Sequence, residues 1–383
     1  MTIYLAPRAC LKWLETKSVY HTASDELYEL DEESFEFLRH CSTADGCSAS
    51  HRDFVAYCLQ EGILTTEQSA VQRPSIEKSP DPSLRYLELQ ITDRCNLRCG
   101  HCYIGESTSH DLSCAQIFNV LSEFEEMQGL RVLITGGEPL MHRDFQSVNR
   151  MLPGFMLRKV LFTNGHLLTA PLLDDLRVDE IQISIDGLEE AHDLLRGKGS
   201  FQKAMNALRL CRDRGFEVSV STMVHAGNLG DFALMDRIFR DMGVRDWTVD
   251  VPSATGRLLD NPALQLPPEE GGRYLNYGFG AGLHAGDEGF GCGQHLMSVL
   301  ADGRVAKCTF YADRPAGTVT DGLRQCWAKI RPIRLGDLAC DCTHLDACRG
   351  GCRYRAELLG SATGKDLYRC GAYDIIRKEN SRT

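Results

Sequence analysis

The stretch DRCNLRCGHCYIGE, residues 93–106, places three cysteines, Cys95, Cys99 and Cys102, in a C-x3-C-x2-C spacing. Thiolates grouped in this way are typical ligands of zinc or of iron–sulfur clusters. Structural zinc usually takes four ligands in paired C-x2-C motifs, whereas a [4Fe–4S] cluster takes one thiolate per iron. Three thiolates would leave one iron with an open coordination position. The spacing therefore favours a catalytic cluster that can bind a further ligand.

The overall composition limits the classes of protein and partner. A chain of 383 residues, 43% hydrophobic and 25% charged, is expected to form two or three globular domains. The net charge of -11, without a Lys/Arg run, argues against a nucleic-acid partner. No apolar stretch is long enough for a membrane span and the N-terminus does not resemble a signal peptide, so we expect no membrane partner and a cytoplasmic location. In that reducing compartment the clustered cysteines, three at 95–102 and eight between Cys292 and Cys370, are expected to bind metal rather than form disulfides. The six scattered ones are expected to be small buried hydrophobic residues: Cys10, Cys41, Cys47, Cys58, Cys114 and Cys211.

The pattern of the chain predicts four segments. Residues 1–72 form a small module of strands followed by two helices, the first capped by Asp31. Residues 73–84, rich in proline and serine, form a linker that predicts an independently mobile module. Residues 85–285 alternate strands with helices, and residues 286–383 are rich in cysteine but poor in long apolar runs.

The alternating segment predicts an α/β fold, a partial (β/α)6 TIM-like barrel. Its strands are short apolar and β-branched runs at residues 85–92, 131–135, 159–163, 180–185, 217–224 and 247–251. The cysteine stretch follows the first strand, GGEP (136–139) the second, Asn164 the third and Asp186 the fourth. Because functional groups of such barrels gather at the carboxyl ends of the strands, these residues predict one site.

The cysteine triplet, followed by Tyr103 and then by GGEP after the second strand, resembles the radical S-adenosylmethionine (radical SAM) enzymes. The resemblance covers residues 85–260. It implies that Cys95, Cys99 and Cys102 hold a [4Fe–4S] cluster whose open iron chelates SAM, and that SAM cleavage yields a 5′-deoxyadenosyl radical that abstracts a substrate hydrogen. The resemblance also implies the SAM contacts: Gly136, Gly137 and Glu138 to the amino group, Ser184 to the ribose, Arg196 to the carboxylate and Tyr103 near the adenine, with Asn164 and Asp186 as further candidates.

The later cysteines resemble the SPASM extension of these enzymes, which holds two auxiliary [4Fe–4S] clusters and would bring the total to three. By that pattern Cys292, Cys308 and Cys352 hold the first auxiliary cluster, and the second is held by Cys340, Cys342, Cys348 and Cys370. The family's C-x2-C is C-x-C here, which leaves open whether Cys340 and Cys342 bind alike. The fourth ligand of the first auxiliary cluster stays open between Cys326, an oxygen of Asp287 or Glu288, and an open iron, and for Cys326 a buried structural role is favoured. Zinc is the alternative metal for the region.

A small module before such an enzyme resembles a RiPP recognition element, similar to the peptide chaperone of pyrroloquinoline quinone synthesis. The whole chain then resembles a maturase of the geopeptide or thioether type. That implies a ribosomal precursor peptide whose leader binds residues 1–72, an oxidative thioether or carbon–carbon crosslink, and an external electron donor such as flavodoxin or ferredoxin. Alternatives are a rigid cap role for the module, a maturase of a folded protein or a small molecule, and a non-catalytic electron carrier. His166, His225 and Arg257 lie near strand ends and are interpreted as structural.

Overall fold

The N-terminal module contains six short strands and two helices in the computed structural model, which describes residues 2–48, 52–68, 71–284 and 294–375. The elements are β1 (Thr2–Leu5), β2 (Ala9–Trp13), β3 (Lys17–His21), β4 (Glu26–Glu29), α1 (Glu32–Cys41), β5 (Cys47–Ser48), α2 (Arg52–Gln60) and β6 (Leu64–Thr65). Strands β2, β3 and β4 form an antiparallel sheet, and β1 pairs with both β5 and β6. The predicted strands and both helices are confirmed; β1, β5 and β6 were not predicted.

Helix α1 shows why the module's sequence folds locally. The side chain of Asp31 accepts a hydrogen bond from the backbone N–H of Ser34, so it is the predicted N-cap. Phe35, Leu38 and Cys41 recur at helical spacing and are buried, which fixes the helix on the small sheet.

The second unit, which we call the α/β unit, has a sheet of six parallel strands that neighbour one another in chain order. Its elements are β7 (Tyr86–Thr92), α3 (Cys114–Glu126), β8 (Arg131–Gly136), α4 (Phe145–Met151), β9 (Arg158–Thr163), α5 (Ala170–Asp175), β10 (Glu180–Ser184), α6 (Glu189–Arg196), α7 (Ser200–Asp213), β11 (Glu217–Met223), α8 (Phe232–Asp241) and β12 (Asp246–Asp250). All six predicted strands are confirmed to within one residue at each end. Helices such as α3, which opens with a Ser113–Gln116 capping box, bury one apolar face against the sheet.

The C-terminal region extends the same sheet. It contains α9 (Pro268–Gly271), β13 (Leu296–Val299), β14 (Arg304–Ala306), β15 (Gly317–Thr318), α10 (Leu323–Lys329), α11 (Leu345–Cys348), α12 (Arg353–Leu358) and α13 (Leu367–Ala372). Strand β13 pairs in parallel with β7, and β14 and β15 follow in antiparallel, so one sheet has nine strands. This extension was not predicted from the sequence.

The N-terminal module packs against the amino-terminal ends of the parallel strands. Arg158, the first residue of β9, is fully buried and donates to the carbonyl oxygens of Thr22 and Ala23 in the β3–β4 turn, at 3.2 and 2.7 Å. Arg131, the first residue of β8, donates to Asp25 of the same turn at 2.8 Å. These buried polar contacts fix the module on the α/β unit.

The segment between the two units is not a loose tether, so the expected mobility of the module is wrong. Arg73 donates to the carbonyl oxygens of Leu5 and Ala6 at 2.9 and 2.8 Å, and Ser79 donates its backbone N–H to Trp13 at 2.8 Å. The segment therefore lies along β2. Its proline and serine content predicts an irregular segment. That composition gives no indication that Arg73 binds the segment to the module.

Within the described part of the chain, every helix is too short or too polar to cross a membrane.

Candidate functional site

A cavity of about 330 Å³ lies at the carboxyl ends of the parallel strands. The last residue of each strand from β8 to β12 lines it: Gly136, Thr163, Ser184, Met223 and Asp250. The loop after β7 adds the cysteine triplet. Nine of the predicted site residues line this one cavity: Cys95, Cys99, Cys102, Tyr103, Gly136, Gly137, Asn164, Ser184 and Arg196.

The cysteine loop is held from both sides by backbone contacts. Gly100 donates to the carbonyl oxygen of Leu195 at 2.9 Å, and Arg257 donates its backbone N–H to that of Cys102 at 3.0 Å. Gly256 has a φ of +54°, and a Cβ there would lie 2.3 Å from the Cys102 oxygen. Burial raises the pKa of Cys95 to about 11, so this thiol keeps its proton near neutral pH unless a cation replaces it.

Gly136 and Gly137 make the turn after β8 fit against this loop. A Cβ on Gly137 would lie 2.4 Å from the carbonyl oxygen of Arg94, and one on Gly136 would lie 2.2 Å from that of Thr92. The backbone N–H groups of Gly137 and Glu138 donate to those same two oxygens, at 2.9 Å to Thr92 and 2.7 Å to Arg94. Glycine is needed here because the two strand ends touch through their backbones.

Glu138 lies beneath the cavity, and its fully buried side chain is not part of the lining. Its carboxylate accepts from the backbone N–H of Asn164 at 2.8 Å and from the hydroxyl of Thr163 at 2.9 Å. Burial raises the pKa of Glu138 to about 7, and these two hydrogen bonds act in the opposite direction. In this structure the carboxylate positions the β9 end that lines the cavity, and its expected contact with a ligand amino group stays a prediction.

Arg196 and Asp186 form a buried ion pair beside the cysteines. The Arg196 guanidinium donates to Asp186 and lies 4.0 Å from the Cys99 Sγ. Burial alone would raise the pKa of Asp186, but the charge of Arg196 and of nearby histidines lowers it well below its usual range. Asp186 is not part of the cavity lining and orients Arg196, which is; a contact between Asp186 and the ligand stays a prediction.

Tyr103 and Asn164 line the cavity with their side chains held by neighbours. The Tyr103 hydroxyl accepts from Gln90 at 3.2 Å, and its ring lies 5.4 Å from that of Phe310. The Asn164 side chain donates to the side-chain oxygen of Asn96, inside the cysteine loop, at 2.8 Å. The end of β9 is thereby tied to the loop that carries the thiols.

The sequence did not point to several other cavity residues. Glu88 lines the cavity, and the only sign of this in the sequence is that a charged residue interrupts the apolar run of β7. Its carboxylate accepts a hydrogen bond from the Ser298 hydroxyl, and burial raises its pKa. Arg257 was interpreted as structural but lines the cavity, and its buried Nε has no hydrogen-bond partner among the described residues. His101 lines it with an Nδ1 that finds no partner in the described part of the chain, and Thr309 and Phe310 also belong to the wall.

Four C-terminal cysteines line a second, small cavity: Cys340, Cys342, Cys348 and Cys370. The Sγ atoms of Cys340 and Cys342 are 3.8 Å apart. Cys352 lies apart from them, with its backbone N–H donated to Asp366 at 2.7 Å. Across the described ranges, no three His, Cys, Asp or Glu side chains converge on a point where a single metal ion would fit.

The remaining predicted ligands are accounted for as follows. Cys308 directly precedes Thr309 and Phe310 of the large cavity. Cys326 is fully buried in the core, with its Sγ 3.6 Å from the carbonyl oxygen of Thr318, which fits the structural role rather than a ligand role. Cys292, Asp287 and Glu288 lie outside the described residues.

Known proteins are similar to this chain in sequence and in fold. Residues 89–233 match the family model of the Radical SAM superfamily. The chain is 30% identical over 302 residues to the mycofactocin maturase MftC of Mycobacterium ulcerans, covering 70% of this chain and 82% of that protein. It is also 30% identical over 238 residues to the AdoMet-dependent heme synthase of Oleidesulfovibrio alaskensis, but spans only 61% of that protein's length.

Two solved structures resemble the whole fold or most of it. SuiB of Streptococcus suis bound to its precursor peptide SuiA matches with a TM-score of 0.67 at 12% identity, covering 95% of this chain and 98% of that one. anSMEcpe with bound AdoMet matches with a TM-score of 0.57 at 18% identity, covering 78% of this chain and 97% of that one. At these identities the likeness concerns the fold.

Proposed function

The chain belongs to the radical SAM superfamily and is an enzyme, and on this premise we propose that it modifies a ribosomal precursor peptide by radical hydrogen abstraction. The product would be an oxidative crosslink in the core peptide, a thioether or a carbon–carbon bond. We further propose that the α/β unit is a partial barrel around the cavity. The observation that carries the proposal is the gathering of Cys95, Cys99 and Cys102 with Arg196 and the strand ends in one cavity.

The residues present fit a three-thiolate cluster and its SAM ligand. The cavity wall contains two buried polar atoms, Nε of Arg257 and Nδ1 of His101, for which the described residues supply no partner, which leaves hydrogen-bonding capacity for a polar ligand. When bound, the cluster and SAM would supply a 5′-deoxyadenosyl radical.

The roles of the protein residues follow from their positions. Arg196, oriented by Asp186, would bind a carboxylate. Its guanidinium donates to Asp186 through Nε, which leaves its other N–H donors for an anion. The hydroxyl of Ser184 would bind the ribose. Glu138 would act indirectly, by holding the Asn164 backbone at the cavity wall.

For the auxiliary clusters we propose the cysteine assignments stated above. Support for the second auxiliary cluster is the common cavity of its four cysteines. Support for the first is that Cys308 adjoins the wall of the large cavity and that Arg355, near Cys352, pairs at 2.6 Å with Asp250 of the same wall. An electron donor such as flavodoxin or ferredoxin would reduce the cluster of Cys95, Cys99 and Cys102.

We propose that the N-terminal module is a RiPP recognition element that binds the leader. In the described chain β4 is an edge strand, so an extended peptide can add to it. Tyr28 of β4 packs edge-on against Tyr57 of α2, a residue that is 48% exposed. Together with the half-buried Phe54, these rings offer an apolar groove for leader side chains.

The test is an anaerobic assay of the reconstituted protein with SAM, dithionite and the candidate precursors encoded by short reading frames beside the gene. We expect 5′-deoxyadenosine and a peptide mass lower by two hydrogen atoms per crosslink. Cys99→Ala should abolish both, whereas Cys114→Ala, a half-buried thiol on α3 away from the cavity, should not. Unchanged peptides, or SAM cleavage by Cys99→Ala at the native rate, would refute the proposal.

A matched pair of variants tests the module. Tyr57→Ala should weaken leader binding and peptide turnover while SAM cleavage without peptide stays at the native rate. Phe118→Ala, another ring about half exposed but located on α3, is the control. If Tyr57→Ala turns over the peptide with native efficiency, the leader does not bind in this groove, and a protein or small-molecule substrate becomes the better interpretation.

A further inference from the structure

The N-terminal module and the large cavity lie at opposite ends of the parallel strands. The β3–β4 turn contacts the first residues of β8 and β9, Arg131 and Arg158, and Arg245 just before β12 donates to the Ser24 carbonyl oxygen at 2.8 Å. The cavity is lined instead by the last residues of β8 to β12. A peptide bound to the module is therefore separated from the site by the full length of the sheet.

The direct route between the two ends is closed. Between them lie the apolar core of the sheet and a buried layer of charge in which Arg158, fully buried, also pairs with Glu180 at 2.8 Å. Opening this layer would leave buried charges without their partners, which costs several kcal/mol for a typical buried ion pair. A substrate chain must therefore pass around the outside of the α/β unit.

Among the described residues, the β2–β3–β4 sheet of the module leaves one edge for a peptide. The other edge strand, β2, is covered in the described chain by the segment that follows the module: Ser79 donates to Trp13, and Lys78 forms a parallel bridge with the same residue. Strand β4 is the remaining edge, and it begins directly after the turn that touches the sheet. The leader's position is thus fixed at the closed end of the molecule.

The length of the sheet sets the shortest connection. Strand β7 has seven residues, which at about 3.3 Å per residue span roughly 23 Å. An extended chain covers at most about 3.5 Å per residue, so the sheet alone requires about seven residues. The route around the helices is longer than the strand, which raises the minimum to about ten.

We propose that the substrates are precursor peptides in which at least about ten residues separate the leader segment held on β4 from the residue that is modified, with the intervening chain passing around the outside of the α/β unit. The inference rests on the proposed function and adds a constraint on its substrate. It also requires leader binding and modification to occur on the same copy of the chain.

The experiment uses the precursor that is turned over in the assay above, with its leader–core connection replaced by Gly/Ser segments of about four, ten and twenty residues. We expect equal leader affinity by fluorescence anisotropy for all three peptides. Modification of the four-residue peptide should fall by at least about a hundredfold relative to the other two. Modification of the precursor with its native connection tests the proposed function. The ratio of modification between the four-residue peptide and the two longer ones tests the distance constraint. Equal modification of the four-residue peptide, or a native precursor modified within about six residues of its bound leader segment, overturns it.

A mixing experiment distinguishes one copy from two. Cys99→Ala retains the leader groove and lacks the site, whereas Tyr57→Ala retains the site and is impaired in the groove. We expect an equimolar mixture to show half the turnover of Tyr57→Ala alone at the same total protein. Turnover restored toward the native rate would mean that a leader bound to one copy delivers its core to another, and would overturn the requirement for a single copy.

Discussion

Gly137→Ala tests the backbone contact that joins the β8 turn to the cysteine loop. The added Cβ would lie 2.4 Å from the Arg94 oxygen and 2.6 Å from the Asp93 oxygen, whereas real Cβ atoms almost never approach within 3.0 Å. The loop must therefore move by at least about 0.6 Å. Because the obstructing atoms are backbone, no side-chain rotation can relieve the overlap.

The energetic cost follows from two hydrogen bonds. Moving the loop weakens the bond from Gly137 to Thr92, 2.9 Å long, and the bond from Glu138 to Arg94, 2.7 Å long. Each such bond contributes about 1 kcal/mol, and a buried group left unpaired costs roughly 1–3 kcal/mol. We expect a loss of about 2–5 kcal/mol in the free energy of unfolding, together with loss of iron from the cysteine triplet.

The assays are urea unfolding of the metal-free protein, iron content after reconstitution, and 5′-deoxyadenosine formation. Gly154→Ala is the matched control, because a Cβ there meets nothing within 4 Å and the backbone is not left-handed. The reasoning fails if Gly137→Ala unfolds with the native free energy and retains the native iron content.

Three further predictions concern charged groups. Arg158→Met should lower the free energy of unfolding by about 3–5 kcal/mol, because Glu180 and Asp25 stay buried after losing this cation; the exposed Arg177→Met should change it little, and equal effects would contradict the burial argument. Glu15 is mostly buried: burial would raise its pKa, but hydrogen bonds from Ser83 and Arg85 and the Arg85 charge lower it to about 2. Its contribution to stability is therefore complete above about pH 4.5 and is lost as the pH falls toward 2, so the native protein should lose up to roughly 3 kcal/mol more than Glu15→Gln over that range in urea titrations. Glu88→Gln should keep SAM cleavage but lower the ratio of peptide product to 5′-deoxyadenosine by about tenfold or more, because its carboxylate lines the cavity and is not among the expected SAM contacts; an unchanged ratio would exclude Glu88 from substrate contact.

The local features of the α/β unit could be predicted because they depend on neighbouring residues. Apolar, β-branched runs define all six parallel strands, and the order of strands and helices places their ends at one edge. The cysteine spacing with GGEP identified the superfamily, which the comparisons confirm. The same reasoning brought Ser184 and Arg196 to the cavity from positions far apart in the sequence.

What could not be predicted depends on contacts between distant residues. Strand β13 is four residues long and is recognisable only by its pairing with β7, some 200 positions earlier. Glu138 and Asp186 are polar residues at the right strand ends, but whether a carboxylate faces a cavity or a neighbouring backbone depends on packing. The docking of the module was missed because it depends on single residues, such as Arg158 and Asp25, that have no pattern in the sequence.

The pairing of β13 with β7 has a consequence for how the chain is made. Strand β7 begins the parallel sheet, yet among the described residues its outer edge is covered by residues 295–299, which leave the ribosome after the whole α/β unit. Until then a seven-residue, largely apolar edge is available to other nascent chains, the arrangement that promotes edge-to-edge aggregation. A shortened chain that ends before β13 would keep this edge permanently, so the C-terminal region should determine solubility during expression even before any metal is bound.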